Sequence, residues 1–234
     1  MKNKLSIHHH YCGPSESGNG GYSAGIFAKQ LDFPAEITLR IPPPLDEELT
    51  IIREDEKALL MYGEKLVAEA KAKAKAKDFD LEIPPAPTFA EATGAAKDYA
   101  GFKDAPFHNC FVCGADRKAG EGLNIYAGKA GEQMVAAPWI PTENLATDGK
   151  KVDSEYIWAA LDCPGAWAVM QPSEVIVLGR FAVKVVADIL VGEKYIVTGW
   201  GIERDGRKIY TGTAIYTEKG AVCAYGKGTW IALK

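Results

Sequence analysis

The second half of the chain is patterned as strands. Residues 175–178, 181–186, 194–201, 208–216 and 221–233 are rich in Val, Ile, Tyr, Thr and Trp, and Gly192, Asp205-Gly206 and Lys219-Gly220 punctuate them. An Asp-Gly pair between two apolar-alternating runs signals a tight hairpin, because the turn needs a residue at positive φ. These runs predict an antiparallel meander of about four strands, preceded by a more helical stretch over 153–170. The first half repeats the plan more weakly. A helix is expected over 17–31, with Tyr22, Ile26 and Phe27 as a partial apolar stripe, then strands over 35–41, 48–53, 57–62 and 65–70. Laying 37–51 on 183–197 needs no gap and sets Leu45 on Val191, Glu47 on Glu193 and Ile51 on Val197. That coincidence reads as an internal duplication.

Residues 71–107 separate the halves. They alternate Lys71, Lys73, Lys75 and Lys77 with Ala and then turn Pro- and Ala-rich. The alternation reads as a solvated strand edge or linker rather than a polyanion site. Thr88 and Glu91 have capping-box spacing, so a short helix is expected inside this connector. The organisation is then a first unit over 1–77, a connector over 78–107 and a second unit over 108–234.

The chain has 234 residues, 47% of them hydrophobic, which suits one large domain or two small ones. A net charge of −4 gives no electrostatic case for nucleic acid or an anionic membrane as partner. The longest apolar runs fall short of the roughly 18 residues of a membrane span. The start MKNKLSIHHHYCG lacks the apolar region of a signal peptide. Five cysteines argue against a disulfide framework and for a reduced, cytoplasmic protein.

Three segments carry a resemblance. The tail over 179–233 runs through Val191-Gly192-Glu193, Arg204-Asp205-Gly206-Arg207 and a last strand from Val222 to Trp230. The segment HNCFVCGADRKAGEGLNIY (108–126) has a C-F-x-C-G entrance followed by Gly-Leu, and SGNGGYSAGIFA (17–28) has a Gly-Gly turn before a helix. In this order they resemble the hotdog-fold acyl-CoA thioesterase superfamily, in its tandem form. The resemblance implies an α+β double hotdog: two antiparallel sheets, each wrapped round a central helix, joined into one pseudo-symmetric sheet. It implies hydrolysis of an acyl-CoA or related thioester to free acid and CoA, with no cofactor and no metal, and allows a homodimer of the tandem unit. A non-catalytic acyl-CoA-binding module is the alternative. A hydratase of the same fold is disfavoured, because no histidine falls in an expected helix.

Such thioesterases bring one unit's helix start to the other unit's sheet. Unpaired N–H groups there suit a carbonyl becoming an oxyanion, and a nearby carboxylate can activate water or attack directly. Asp162 of the Leu161-Asp162 dipeptide matches the family's carboxylate. Pro164 suits a first helical turn, so the chain there is either two helices broken at Asp162 or one kinked helix. Asp162 could equally be a plain N-cap. The N–H groups of Gly20 and Gly21, the Asn19 amide and Gly165 are candidates to polarise the carbonyl; a structural turn explains the glycines as well. Extending the strand register sets Glu16 against Asp162 and Ser17 against Cys163. Thr198, Thr211 and Thr213 are candidate polar partners.

His108, Cys110 and Cys113 could begin a zinc site, with further ligands from Cys12 or His8, His9 and His10, or a redox pair. A packed entrance loop is the favoured reading. Cys163 is read as a small buried residue rather than a nucleophile.

Overall fold

The computed structural model describes residues 3–72, 81–132 and 134–233. Lys73, Lys75 and Lys77 of the basic alternation lie outside them.

Among the described residues, eleven strands form one sheet. They are β1 (Lys4–Leu5), β2 (Ala35–Leu39), β3 (Leu49–Glu54), β4 (Lys57–Tyr62), β5 (Lys65–Ala72), β6 (Gly128–Lys129), β7 (Met134–Trp139), β8 (Ile176–Val185), β9 (Tyr195–Asp205), β10 (Lys208–Thr217) and β11 (Val222–Ala232). The order is β1-β3-β4-β5-β2-β8-β11-β10-β9-β7-β6. Early and late strands meet at one seam, where β2 and β8 run antiparallel with Glu36 opposite Ala182 and Ile37 opposite Phe181. Outward from that seam the sequence β2-β5-β4-β3 mirrors β8-β11-β10-β9.

The helices are α1 (Gly20–Ala28), α2 (Phe89–Lys97), α3 (Gly101–Asp104), α4 (Ser154–Ala160) and α5 (Cys163–Trp167). Asn19 caps α1, its side chain accepting the Tyr22 N–H at 2.9 Å. The capping box on α2 is present, with Thr88 and Glu91 each bonding the other's backbone N–H. α2 packs Ala92 against Ala136 and Ile196. No helix among the described residues is long and apolar enough to cross a membrane.

Over 153–170 the two-helix alternative holds, with the break at Leu161-Asp162, because the tertiary amide at Pro164 cannot continue the ladder of α4. Other expectations change. The runs at 175–178 and 181–186 belong to one strand, β8, in which Gly179 is a bulge: Arg180 pairs with Thr229 and Leu178 with Trp230, leaving Gly179 unpaired between them. The late strands are not a simple meander. β9, β10 and β11 are, but β8 pairs with β11, so the chain crosses over before β9. Strand β7 is an addition to the expected elements, and it contains Pro138. Its partner on that side, β6, reaches only Val135 and Ala136, so Pro138 sits where no donor is needed.

The duplicated register sets β2 on β8 and β3 on β9, but it does not extend to the helices. Residues 29–34 join α1 to β2, whereas 161–175 join α4 to β8 and contain α5. Glu16 and Ser17 are therefore not the counterparts of Asp162 and Cys163.

Helices α1 and α4 pack antiparallel and very close. A Cβ on Gly21 would lie 2.6 Å from the Trp158 carbonyl oxygen, and one on Gly25 would lie 2.7 Å from the Trp158 Cβ. Phe27, Ile37, Leu60, Leu161 and Phe181 fill the core around them. This close crossing sets the start of α1 against the end of α4.

Candidate functional site

Asp162 stands at the N-cap position of α5, yet its side chain does not cap that helix. The carboxylate turns to the start of α1 instead. Its Oδ2 accepts from Asn19 Nδ2 at 2.8 Å and from the Gly21 N–H at 2.9 Å. The plain N-cap role is thereby replaced by a bond between helices. Oδ1 is buried and has no protein partner among the described residues. Burial pushes the carboxyl up to about 7, while the Gly21 and Asn19 donors pull the other way. The positive end of α1 offsets part of the cost of holding an anion there.

A cavity of about 290 Å³ opens beside this carboxylate. Asn19, Gly20, Asp162 and Cys163 line it, with Leu178, Trp167, Met170, Trp230 and Ile41 among its apolar walls. Gly20 is the first residue of α1, so its N–H has no acceptor within the helix. A Cβ there would meet Leu178 at 2.9 Å. The Gly21 N–H is already committed to Asp162, so Gly21 orients the carboxylate rather than facing a carbonyl. The Gly165 N–H donates to the Asp162 backbone carbonyl at 3.0 Å. Its bare Cα lets α5 approach the sheet, where a Cβ would lie 2.8 Å from Thr211 Oγ1. Thr211 itself accepts from the Trp230 indole at 3.0 Å. Thr198 pairs between Ala136 and Ala214, outside the residues lining the cavity.

Cys110 and Cys113 do meet a third sulfur, but from an unexpected source. It comes from Cys163, and the three Sγ atoms lie within 4.8 Å of one another, all buried. Cys12 is not part of the group; its thiol donates to the Asn109 carbonyl at 3.2 Å. His9 pairs with exposed Asp46 at 2.8 Å. Hydrogen bonds from Cys110 and Cys163 pull the Cys113 thiol below its ordinary value, while contacts with Cys110 and Cys113 push Cys163 above its own and the Cys113 contact pushes Cys110 up to about 12. Five thiols are free among the described residues. The meeting of Cys110 with Cys163 had no signal in the sequence, since it depends on how the entrance loop lies over α5.

The other end of the α1/α4 pair is built differently. Lys29, just past α1, reaches Glu155 at 2.8 Å and Asp153 at 3.8 Å. An ion pair stands there instead of a lone carboxylate on a helix start.

No protein-family model matches the sequence, and no curated protein does. The architecture does match solved structures. The tesB protein of Mycobacterium avium subs paratuberculosis superimposes with a TM-score of 0.60 at 11% identity, covering 94% of this chain and 89% of that one. The chain has the hotdog fold. The PaaI protein from the phenylacetic acid degradation operon of E. coli is a more distant match, at 12% identity and a TM-score of 0.47, covering 61% of this chain and 96% of that one. In the hotdog fold of this chain, the helix start that receives Asp162 lies beside the seam of the sheet, since Gly20 rests on Leu178 of β8.

Proposed function

We propose that this chain is a tandem hotdog thioesterase that hydrolyses an acyl-CoA or related thioester at Asp162. The mirrored strand order about the β2/β8 seam supports two units, one ending near residue 77 and one beginning near 108, joined by the connector that carries α2. The observation that carries the catalytic reading is the carboxylate of Asp162, held through Oδ2 by Asn19 and Gly21 with Oδ1 unpartnered in a cavity wall.

The chemistry follows from that arrangement. The thioester enters the cavity with its carbonyl oxygen toward the Gly20 N–H and the positive end of α1, which stabilise the oxyanion as it forms. Asp162 Oδ1 takes a proton from a water molecule as the water oxygen bonds to the carbonyl carbon. Collapse of the tetrahedral intermediate breaks the C–S bond. The departing thiolate takes the proton back, leaving acid, thiol and an ionised Asp162. The two donors on Oδ2 fix the carboxylate's direction, so no reorganisation is needed when the water reacts.

A thiol-release assay over acyl-CoAs of increasing chain length tests this, comparing wild type with Asp162→Asn and Asp162→Ala. Turnover should fall by about a hundredfold or more in both variants, with the fold retained. Unchanged turnover would move the chemistry to another residue. If neither wild type nor variant turns over any substrate while both bind acyl-CoA, the chain is a binding module. Single turnover in ¹⁸O-water separates the routes, because label appears in Asp162 only if the carboxylate itself attacks.

A further inference from the structure

We propose that Cys110, Cys113 and Cys163 form a binding site for a thiolate-seeking divalent cation of the zinc class. The site is independent of the role given to Asp162.

The sequence prepares two of the ligands locally. Cys110 and Cys113 flank a tight loop closed by the Gly114 N–H on the Cys110 carbonyl at 2.9 Å. A Cβ on Gly114 would lie 2.5 Å from the His108 carbonyl oxygen and 2.6 Å from the Cys110 nitrogen, so only glycine lets the loop turn this sharply. That turn holds the two sulfurs of a C-x-x-C on one side. Cys163 then arrives from the first residue of α5, and its Sγ lies 3.6 Å from that of Cys110. Tetrahedral coordination at a Zn–S distance of about 2.3 Å puts neighbouring sulfurs about 3.7 Å apart. The Cys110–Cys163 spacing already matches, and Cys113 Sγ lies within 4.8 Å of both.

N–H donors stand near each of the three sulfurs. The Trp167 indole N–H points at Cys113 Sγ at 3.5 Å, and the Asn19 amide stands 3.8 Å from Cys110 Sγ and 4.0 Å from Cys163 Sγ. N–H donors on ligating sulfurs orient them and stabilise their negative charge. Three soft ligands select zinc-like ions over calcium or magnesium. The residues all line the cavity, which leaves the fourth position to a water or to a sulfur or oxygen of a molecule held there. Uptake would release the protons of the bound thiols to solvent. The bound ion would tie the entrance loop to α5 next to Asp162.

Cobalt(II) and zinc(II) are the probes, added to full-length protein reduced with a phosphine and stripped with a chelator. About one cobalt per chain should bind with thiolate-to-cobalt charge-transfer absorption in the near ultraviolet, and zinc should abolish that absorption. Cys110→Ser, Cys113→Ser and Cys163→Ser should each weaken uptake at least about tenfold, whereas Cys223→Ser, a buried thiol elsewhere on the sheet, should not. Alkylation mapping on wild type covers the case of a variant that fails to fold: metal should shield those three thiols together. Reduced, folded wild type that takes up no cobalt, or shows no shielding of the trio, would overturn the proposal. So would a Cys110–Cys163 disulfide recovered from protein isolated without reductant, with no metal uptake after reduction.

Discussion

Gly21 and Asp162 are 141 positions apart, and the N–H of one donates to the carboxylate of the other at 2.9 Å. The contact joins the second residue of α1 to the break between α4 and α5. It exists only because α1 lies close enough to α4 for backbone to meet side chain.

That closeness makes Gly21→Ala informative. The added methyl would lie 2.6 Å from Asp162 Cβ and from the Trp158 carbonyl oxygen, so the helices must part. A loss of about 1–3 kcal/mol is expected in denaturant titration. Thioester turnover should fall further than in Gly25→Ala, whose methyl meets Trp158 and Glu155 rather than Asp162. Equal turnover in the two variants would detach α1 placement from the carboxylate.

Asn19 does two things at once, and substitutions can separate them. Its Oδ1 caps α1 through the Tyr22 N–H, and its Nδ2 holds Asp162. Asn19→Ser keeps a capping oxygen but loses the amide donor, so stability should stay within about 1 kcal/mol while turnover drops. Asn19→Asp keeps the cap and sets a carboxylate against Asp162; turnover should fall below that of the serine variant. A serine variant with wild-type turnover would reduce Asn19 to a helix cap.

At the far end of the helix pair, Glu155 is nearly buried and held by Lys29. Lys29→Met should cost stability by leaving that carboxylate without its cation, discounted because the lysine is itself two-fifths exposed. The double variant Lys29→Met/Glu155→Gln should recover part of the loss in a double-mutant cycle. Thiol release per folded molecule should not change in either, since only one end presents Asp162. A parallel drop in turnover would reveal a second working site.

The loop from α5 to β8 is tied down by Arg204, whose two terminal nitrogens each reach a Glu174 carboxylate oxygen at 2.9 Å. Arg204 holds the Glu174 carboxyl below its ordinary value. A depressed carboxyl stabilises the fold above its unfolded pKa and loses that contribution as pH falls through the folded one. Glu174→Gln should thus lower thermal stability at neutral pH by less than about 1 kcal/mol and leave it unchanged in strong acid. A deficit that persists in acid would assign the effect to packing rather than charge. Met170 and Ile176, which this tie brackets, line the cavity.

Local chemistry made most elements readable from sequence. Gly206 and Gly220 sit at φ +55° and +84°, where the hairpin signals put them, and β9, β10 and β11 follow. The capping box on α2 needed only Thr88 and Glu91. β7 is not among the elements read from sequence; its Pro138 is accommodated because β6 pairs only as far as Val135 and Ala136, which is a fact about β6. β8 reads as two runs in the sequence because Gly179-Arg180 looks like a turn; only pairing with β11 shows Gly179 to be a bulge within one strand.

By itself the sequence determined most of the strands, the capping box of α2 and the residue types able to do chemistry, because alternation, caps and turns act over a few residues. It also singled out Asp162, through a dipeptide resemblance. The tertiary structure alone decided what Asp162 faces, that Gly21 serves the carboxylate and that Cys163 joins Cys110 and Cys113. Those contacts join residues 50 to 143 positions apart. They depend on the close crossing of α1 over α4 and the lie of the entrance loop over α5, and packing of whole elements, not local preference, sets both.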